Sequence, residues 1–251
     1  MNKETAHKLN ALNRDFYEKV AGSFSATRKF AWPGWKRALT SCDFGSRARV
    51  LDVACGNLRF EKYLSKTYPS CEFEFHTVDN CDNLLGSEPA TLHVNEDVIY
   101  KLIEGDELNF YELNVQLVVA FGFMHHIPTF DCRVTFLNAL FDAIAPSGVA
   151  VVSLWRFMNE QKLSESSKAS TNAALKDCGI KQNALDANDF LLNWQKQEHI
   201  YRYCHHFDDA EIDSLIAATS SIATCVDRFD SDGRNNALNT YLVFKKEVKN
   251  G

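Results

Sequence analysis

Val50-Leu51-Asp52-Val53-Ala54-Cys55-Gly56-Asn57-Leu58 is the stretch that decides the fold. A short apolar run that stops at a glycine-containing turn reads as a buried strand, and the spacing of Leu58, Phe60, Tyr63 and Leu64 behind it reads as a helix. The same alternation recurs downstream. Residues 73–78 form a second strand closed by Asp79, and 98–103 are expected as a third ahead of Gly105-Asp106. Residues 115–121 are almost wholly apolar, as a strand covered on both faces requires. A helix over 131–144 and the turn Pro146-Ser147-Gly148 lead into a fifth strand at 149–154. Ile212, Leu215 and Ile216 give helical spacing within 208–218. Residues 222–229 and 238–244, separated by Asp230-Ser231-Asp232-Gly233, read as an antiparallel pair at the sheet edge. Alternating strands and helices predict an α/β fold, a doubly wound and mostly parallel sheet with helices on both faces. Upstream, Leu9, Leu12, Phe16, Val20 and Phe24 mark a long helix, and Trp35 and Leu39 a short one after Pro33-Gly34. Residues 158–195 are polar and helix-prone, and are expected as a helical insertion without a strand; 199–204 read as extended.

Composition narrows the class. With 251 residues, 45% hydrophobic and 24% charged, the chain is long and apolar enough to fold on its own core, which excludes a disordered protein. No apolar run reaches the ~18 residues of a membrane span, and Lys3, Glu4, His7 and Lys8 do not make a secretory signal core. Eight scattered cysteines with no C-x-x-C pair predict reduced thiols, a cytoplasmic location and no metal site. The net charge of −6 is unevenly spread: residues 1–50 hold ten Lys or Arg against four acids, a balance of +6, so the remaining 201 carry −12. A polyanionic partner would meet the basic end.

Ligands of open α/β sheets sit at the carboxyl ends of the strands. Those ends supply Asp52, Ala54, Gly56, Asp79, Asp106 and Phe121 as candidate cofactor contacts. Gly56 admits close backbone approach, Asp79 can accept from two ribose hydroxyls, and Asp106 can face an adenine amino group. The single glycine of the first turn matches neither the G-x-G-x-x-G of dinucleotide sites nor a P-loop, so a cofactor without phosphates fits better.

The run from Val50 to Phe60 resembles the first motif of class I S-adenosylmethionine-dependent methyltransferases. Within that class the chain is most similar to the enzymes that methyl-esterify carboxymethyl uridine at the tRNA wobble position. Phe16-Tyr17, Phe24-Ser25-Ala26-Thr27-Arg28 and Trp32-Pro33 resemble that family's amino-terminal segment. Phe123-Met124-His125-His126-Ile127-Pro128, Val152-Ser153-Leu154-Trp155, Arg202-Tyr203-Cys204-His205 and Gly233-Arg234-Asn235-Asn236 resemble its later motifs. The likeness extends over nearly the whole chain apart from about 80–97 and 158–195. The family has glycine where this chain has Ala54 and Leu58, an aromatic where it has Ala237, and a helix after the second strand that 80–97 lack.

The resemblance implies a seven-stranded Rossmann-like methyltransferase sheet whose last strand is antiparallel, over 46–251, covered by a basic helical segment over 1–45. It implies S-adenosylmethionine as cofactor and O-methylation of a carboxylate. Arg28, His126 and Trp155 are the implied catalytic residues: Arg28 on the cofactor or substrate carboxylate, His126 donating to the acceptor oxygen, Trp155 walling the substrate. Trp32, Arg202, His205 and Arg234 are the implied substrate contacts. tRNA is the implied partner, joined in eukaryotic relatives by a small zinc-binding activator subunit. Two alternatives stand beside this reading. One is a small-molecule methyltransferase acting on an anionic metabolite; the other is a non-catalytic interaction protein of the same fold, motivated by the bulk of Leu58 beside the cofactor and by Ala237 in place of the family's aromatic.

Overall fold

A computed structural model describes residues 1–85, 91–195, 197 and 199–246. Part of the segment 80–97, residues 86–90, and the end of the chain lie outside the described residues. Helices α1 (Lys3–Ala26) and α2 (Pro33–Ala38) precede β1 (Arg47–Val53), α3 (Arg59–Thr67), β2 (Glu72–Asp79) and β3 (Thr91–Asn95). Then come α4 (Val98–Glu104), β4 (Val115–Ala120), α5 (Phe130–Ala143) and β5 (Ile144–Trp155). Helix α6 (Gln161–Asp177), strands β6 (Asp189–Asn193) and β7 (Tyr201–His205), helix α7 (Asp209–Thr219) and strands β8 (Ala223–Ser231) and β9 (Asn239–Lys246) complete the order.

The main sheet has seven strands in the order β3-β2-β1-β4-β5-β9-β8. Strands β3 through β5 are mutually parallel, and β9 runs antiparallel to both of its neighbours. Successive side chains on a strand point to opposite faces, so the apolar run of β1 feeds two cores. Leu51 and Val53 join Val118, Phe136, Leu140 and Phe244 under α4, α5 and α7. Val50 joins Val119, Val151, Trp35, Phe60 and Tyr241 under α2 and α3. The doubly wound architecture is therefore as expected. No helix among the described residues is long and apolar enough to cross a membrane.

Two sequence expectations are corrected. Residues 98–103 are helical, not a third strand: Asp97 caps α4 by accepting from the Tyr100 N–H, and Gly105 ends it with φ +78°. Val98, Ile99 and Leu102 form its buried stripe, a helical rather than an alternating spacing. The true third strand, β3, lies at the sheet edge with Leu92 and Val94 facing solvent, 60% and 54% exposed, which inverts the pattern a half-buried strand should show. The segment 158–195 contains the expected helix α6, but its end forms β6, which pairs with β7 in a separate two-stranded sheet. Leu191 and Tyr203 of that hairpin bury a third core against Leu9 of α1. Helix α1 thus packs on β7 and reaches across α4, bringing its polar residues over the carboxyl ends of the strands.

Candidate functional site

The turn after β1 is held in an unusual conformation. Ala54, Gly56 and Leu58 all have left-handed backbones, with φ +64°, +57° and +55°. Gly56 adopts this freely, whereas each side-chain-bearing residue costs about 1–2 kcal/mol. The neighbouring strand holds the turn: Ala54 N–H donates to the Val78 carbonyl at 2.7 Å, and Gly56 N–H to Asp79 Oδ2 at 2.9 Å. This explains why a glycine suits positions 54 and 58. Leu58 is 3% exposed, is absent from the cavity wall and packs into the protein interior.

Above the turn lies a cavity of about 360 Å³. At one end Asp79 spends both oxygens on backbone N–H groups, those of Gly56 and Cys81, each at 2.9 Å. Burial raises its carboxyl, against the pull of those two donors. Asp52 and Glu61 are both buried, and neither Glu61 oxygen has a hydrogen-bond partner among the described residues; burial first, and then the Glu61 charge, raise Asp52 well above the usual carboxylate range, while burial lifts Glu61 to about 7. A small lobe of about 30 Å³ continues between Asp79, Asn80, Glu96, Asp97, Val98 and Phe123.

At the other end, α1 supplies Tyr17, the connection after it supplies Arg28, the turn after β4 supplies His125 and His126, and Trp155 and Arg202 close the wall. His126 Nδ1 lies 2.8 Å from the Tyr203 carbonyl and Nε2 2.8 Å from the Tyr17 hydroxyl. Asn13 Nδ2 also lies 3.2 Å from Nδ1, but the Tyr203 carbonyl is nearer and can only accept, so the proton is assigned to Nδ1 and Tyr17 donates to Nε2. Arg202 in turn donates to Tyr17 Oη at 3.2 Å, and Asn13 accepts from the Tyr203 N–H at 2.7 Å. Burial, together with the Arg202 charge, pushes His126 down to about 3, and burial and His126 push His125 down as well.

Four arginines line this cavity; Arg14 pairs with Asp97 at 3.7 Å, and among the described residues Arg28, Arg59 and Arg202 form no ion pair with a carboxylate. Arg202 is 6% exposed and enclosed by rings, with its guanidinium 5.1 Å from Phe16, 5.4 Å from Trp155 and 5.8 Å from Phe24. Its Nε has no partner. Arg28 lies 4.6 Å over Phe24 and is destabilised by burial and by Arg202. Arg59 stacks over Trp32 and Trp35, and burial and Arg28 bring it down to about 10. A buried guanidinium without an anion is unfavourable, so an anionic ligand gains what these groups lack.

The structure brings Asp52, Ala54, Gly56, Asp79 and Phe121 to this cavity, along with Arg28, Trp32, His126, Trp155 and Arg202. It does not bring His205, whose ring is held between Asp189 at 2.7 Å and Glu211 at 2.5 Å, away from the cavity wall. Arg234 is exposed on the loop before β9 and lines no part of the cavity, and Asp106 is exposed beyond the end of α4. The acids that do follow the third strand are Glu96 and Asp97. Tyr17 and Arg59 were not picked out from the sequence. Asn10, Asn13, Tyr17 and Phe24 recur at helical spacing on α1, and that face was the available signal. His125, His126 and Cys204 bring three donor atoms within 4.8 Å of one another. Both nitrogens of His126 are already bonded, and Arg202 bears on all three, an arrangement unsuited to a divalent cation.

No family model matches the chain. It is similar to the tRNA (carboxymethyluridine(34)-5-O)-methyltransferase of Xenopus tropicalis, 23% identical over 264 residues that cover 89% of this chain and 38% of that protein. The Arabidopsis thaliana protein of the same name is 28% identical over 141 residues, 55% of this chain and 31% of that one. The chain thus spans about a third of the length of these curated relatives. Among solved structures, a Methanosarcina mazei S-adenosylmethionine-dependent methyltransferase superposes with TM-score 0.59 at 12% identity, over 87% of this chain and 99% of that one. Burkholderia thailandensis 1,6-didemethyltoxoflavin-N1-methyltransferase, solved with its substrate and S-adenosylhomocysteine, gives 0.57 at 16% identity, over 99% and 91%. The complex between the Haloferax volcanii Trm112 methyltransferase activator and a methyltransferase gives 0.59 at 11% identity, over 95% and 99%. The chain has the class I methyltransferase fold.

Proposed function

We propose that this chain is a methyltransferase that moves the sulfonium methyl of S-adenosylmethionine onto a carboxylate oxygen, the acceptor being a carboxymethyl group on a tRNA wobble uridine. The observation that carries the acceptor chemistry is Arg202, buried without a carboxylate partner at the wall of the cavity. No strong base stands beside it: both histidines are driven neutral, and Nδ1 and Nε2 of His126 are committed to Tyr203 and Tyr17. A hydroxyl or amine acceptor needs its proton removed, whereas a carboxylate with a reference pKa near ~4 arrives ionised. Arg202 and Arg28 would bind and orient that anion, and Trp155 would flank the attached ring.

The residues present suit the cofactor. A Cβ built on Gly56 meets nothing within 4 Å, and Leu58 stays out of the cavity, which supports cofactor binding over the non-catalytic alternative. Asp79, with a lone pair left on each oxygen, would take the ribose hydroxyls, Asp97 would face the edge of the adenine, and Arg59 would take the cofactor carboxylate; when bound, the cofactor supplies the electrophilic methyl. His126 then has a positioning role, fixing Tyr17 and through it Arg202.

The tRNA part of the reading is supported by the curated relatives and by the +6 balance of the first 50 residues. A cytoplasmic setting accords with eight free cysteines. An activator subunit also belongs to the proposal, with the apolar edge strand β3 as the face open to it. The test is transfer of labelled methyl from the cofactor to RNA carrying 5-carboxymethyluridine. Label released by mild alkali, as an ester requires, supports the reading. No transfer to that RNA, with transfer to a small carboxylate instead, would favour the metabolite alternative.

A further inference from the structure

We propose that Phe30 is a stacking platform for an unpaired nucleobase of the substrate lying outside the cavity, with Lys29 on the adjoining phosphate. The proposal rests on the RNA reading above. Phe30 is 82% exposed, the most exposed large apolar side chain among the described residues. It lies in the connection between α1 and α2, two residues from Arg28 and two from Trp32, both of which line the cavity.

The backbone at Phe30 is tied down. The Phe30 carbonyl accepts from Arg59 Nη1 at 2.9 Å, and the Arg28 carbonyl accepts from Asn57 Nδ2 at 3.1 Å. Two side chains of the cofactor turn region thus fix the segment while leaving the phenyl ring in solvent. A ring that served only the fold would be drawn into the apolar wall, as Phe24 is against Tyr17, 5.2 Å between centroids. Beside it Lys29 is exposed and, among the described residues, in no ion pair. An exposed aromatic next to free cations, at the edge of a cavity that seeks an anion, is the chemistry that binds single-stranded nucleic acid. A double-stranded partner offers no free base face to such a ring.

The test measures binding of a short single-stranded RNA carrying 5-carboxymethyluridine by fluorescence anisotropy, in parallel with methylation of the free nucleoside. Phe30→Ala is expected to weaken RNA binding roughly 5- to 100-fold, while S-adenosylhomocysteine affinity and kcat/KM for the nucleoside stay unchanged. Phe30→Tyr should keep RNA affinity and Phe30→Leu should not, because stacking needs the π face. Lys29→Ala should flatten the dependence of log affinity on log salt by about 0.7. Unchanged RNA affinity in Phe30→Ala, or full affinity in Phe30→Leu, overturns the platform. If the nucleoside is methylated but RNA binds no tighter than it, the platform fails and methyl transfer stands. If RNA binding depends on Phe30 but no methyl moves, the platform stands and the activity falls.

Discussion

Replacing Arg202 with methionine should separate stability from activity. In the free protein the guanidinium is buried among Phe16, Phe24 and Trp155, with the Tyr17 hydroxyl as its bonded partner. Removing it forfeits one hydrogen bond, about 1 kcal/mol, and cation–π contacts of about 1–2 kcal/mol. Against this, the substitution lifts the desolvation penalty of an unpaired buried charge, several kcal/mol in effective terms. Methionine fills similar space against the same rings. The balance predicts a variant at least as stable as the parent, by about 0–3 kcal/mol, which for a chain of this length raises Tm by roughly 2–4 °C per kcal/mol. The same change removes the partner of the acceptor carboxylate, and single-turnover methyl transfer should fall about 100-fold or more, with cofactor affinity within a few-fold of the parent. Thermal denaturation, calorimetry with S-adenosylhomocysteine and rapid-quench transfer to the carboxymethyl RNA measure the three quantities. A variant less stable by more than about 2 kcal/mol would show that Arg202 is a structural group satisfied in the folded protein. Undiminished transfer would remove it from the site.

The cofactor turn gives a contrasting pair. Ala54→Gly relieves a left-handed backbone and should raise stability by about 0.5 kcal/mol after the entropy of the added glycine; Leu58→Gly relieves the same strain but deletes a buried side chain and should lose about 1–3 kcal/mol, both read by denaturant unfolding. The buried acids Asp52 and Glu61 set a pH trend. Glu61 is raised in the fold from 4.5 to about 7, so its contribution is present below pH ~4.5 and lost as pH rises to ~7, on the order of 3 kcal/mol. Glu61→Gln should flatten that decline in a pH series of unfolding curves. His126, held at about 3, should leave the pH–rate profile without an imidazole limb between pH 5 and 8. An inflexion near pH 6.5 that vanishes in His126→Gln would assign it a proton-transfer role instead.

What the sequence disclosed and what it hid have physical causes. Strands β1, β4 and β5 were legible because burial on both faces leaves a near-continuous apolar run bounded by turn residues. Strand β3 was not, because its apolar Leu92 and Val94 face outward at the edge and the half-buried residue between them, His93, is polar. Helix α4 then passed for the missing strand, since seven residues show less than two full helical turns of periodicity. That error carried Asp106 into the candidate site in place of the acids that end β3. The residues of the turn, and Arg28 and Trp32 of the connection after α1, were found by motif, but His205 was misplaced because only the fold reveals the two carboxylates that enclose it. Arg202 was named in advance. Its lack of an anionic partner, the fact on which the acceptor chemistry rests, is a relation between four distant segments and has no signature in the sequence.

The central claim is that this cavity recognises an ionised carboxylate. Its most direct test compares two RNAs that differ in one group, one bearing 5-carboxymethyluridine and the other the neutral carboxamide of the same shape, bound in the presence of S-adenosylhomocysteine. The account predicts that the carboxylate binds on the order of 100-fold more tightly, and that Arg202→Met abolishes the difference. Equal affinity for the acid and the amide in the parent protein would contradict it.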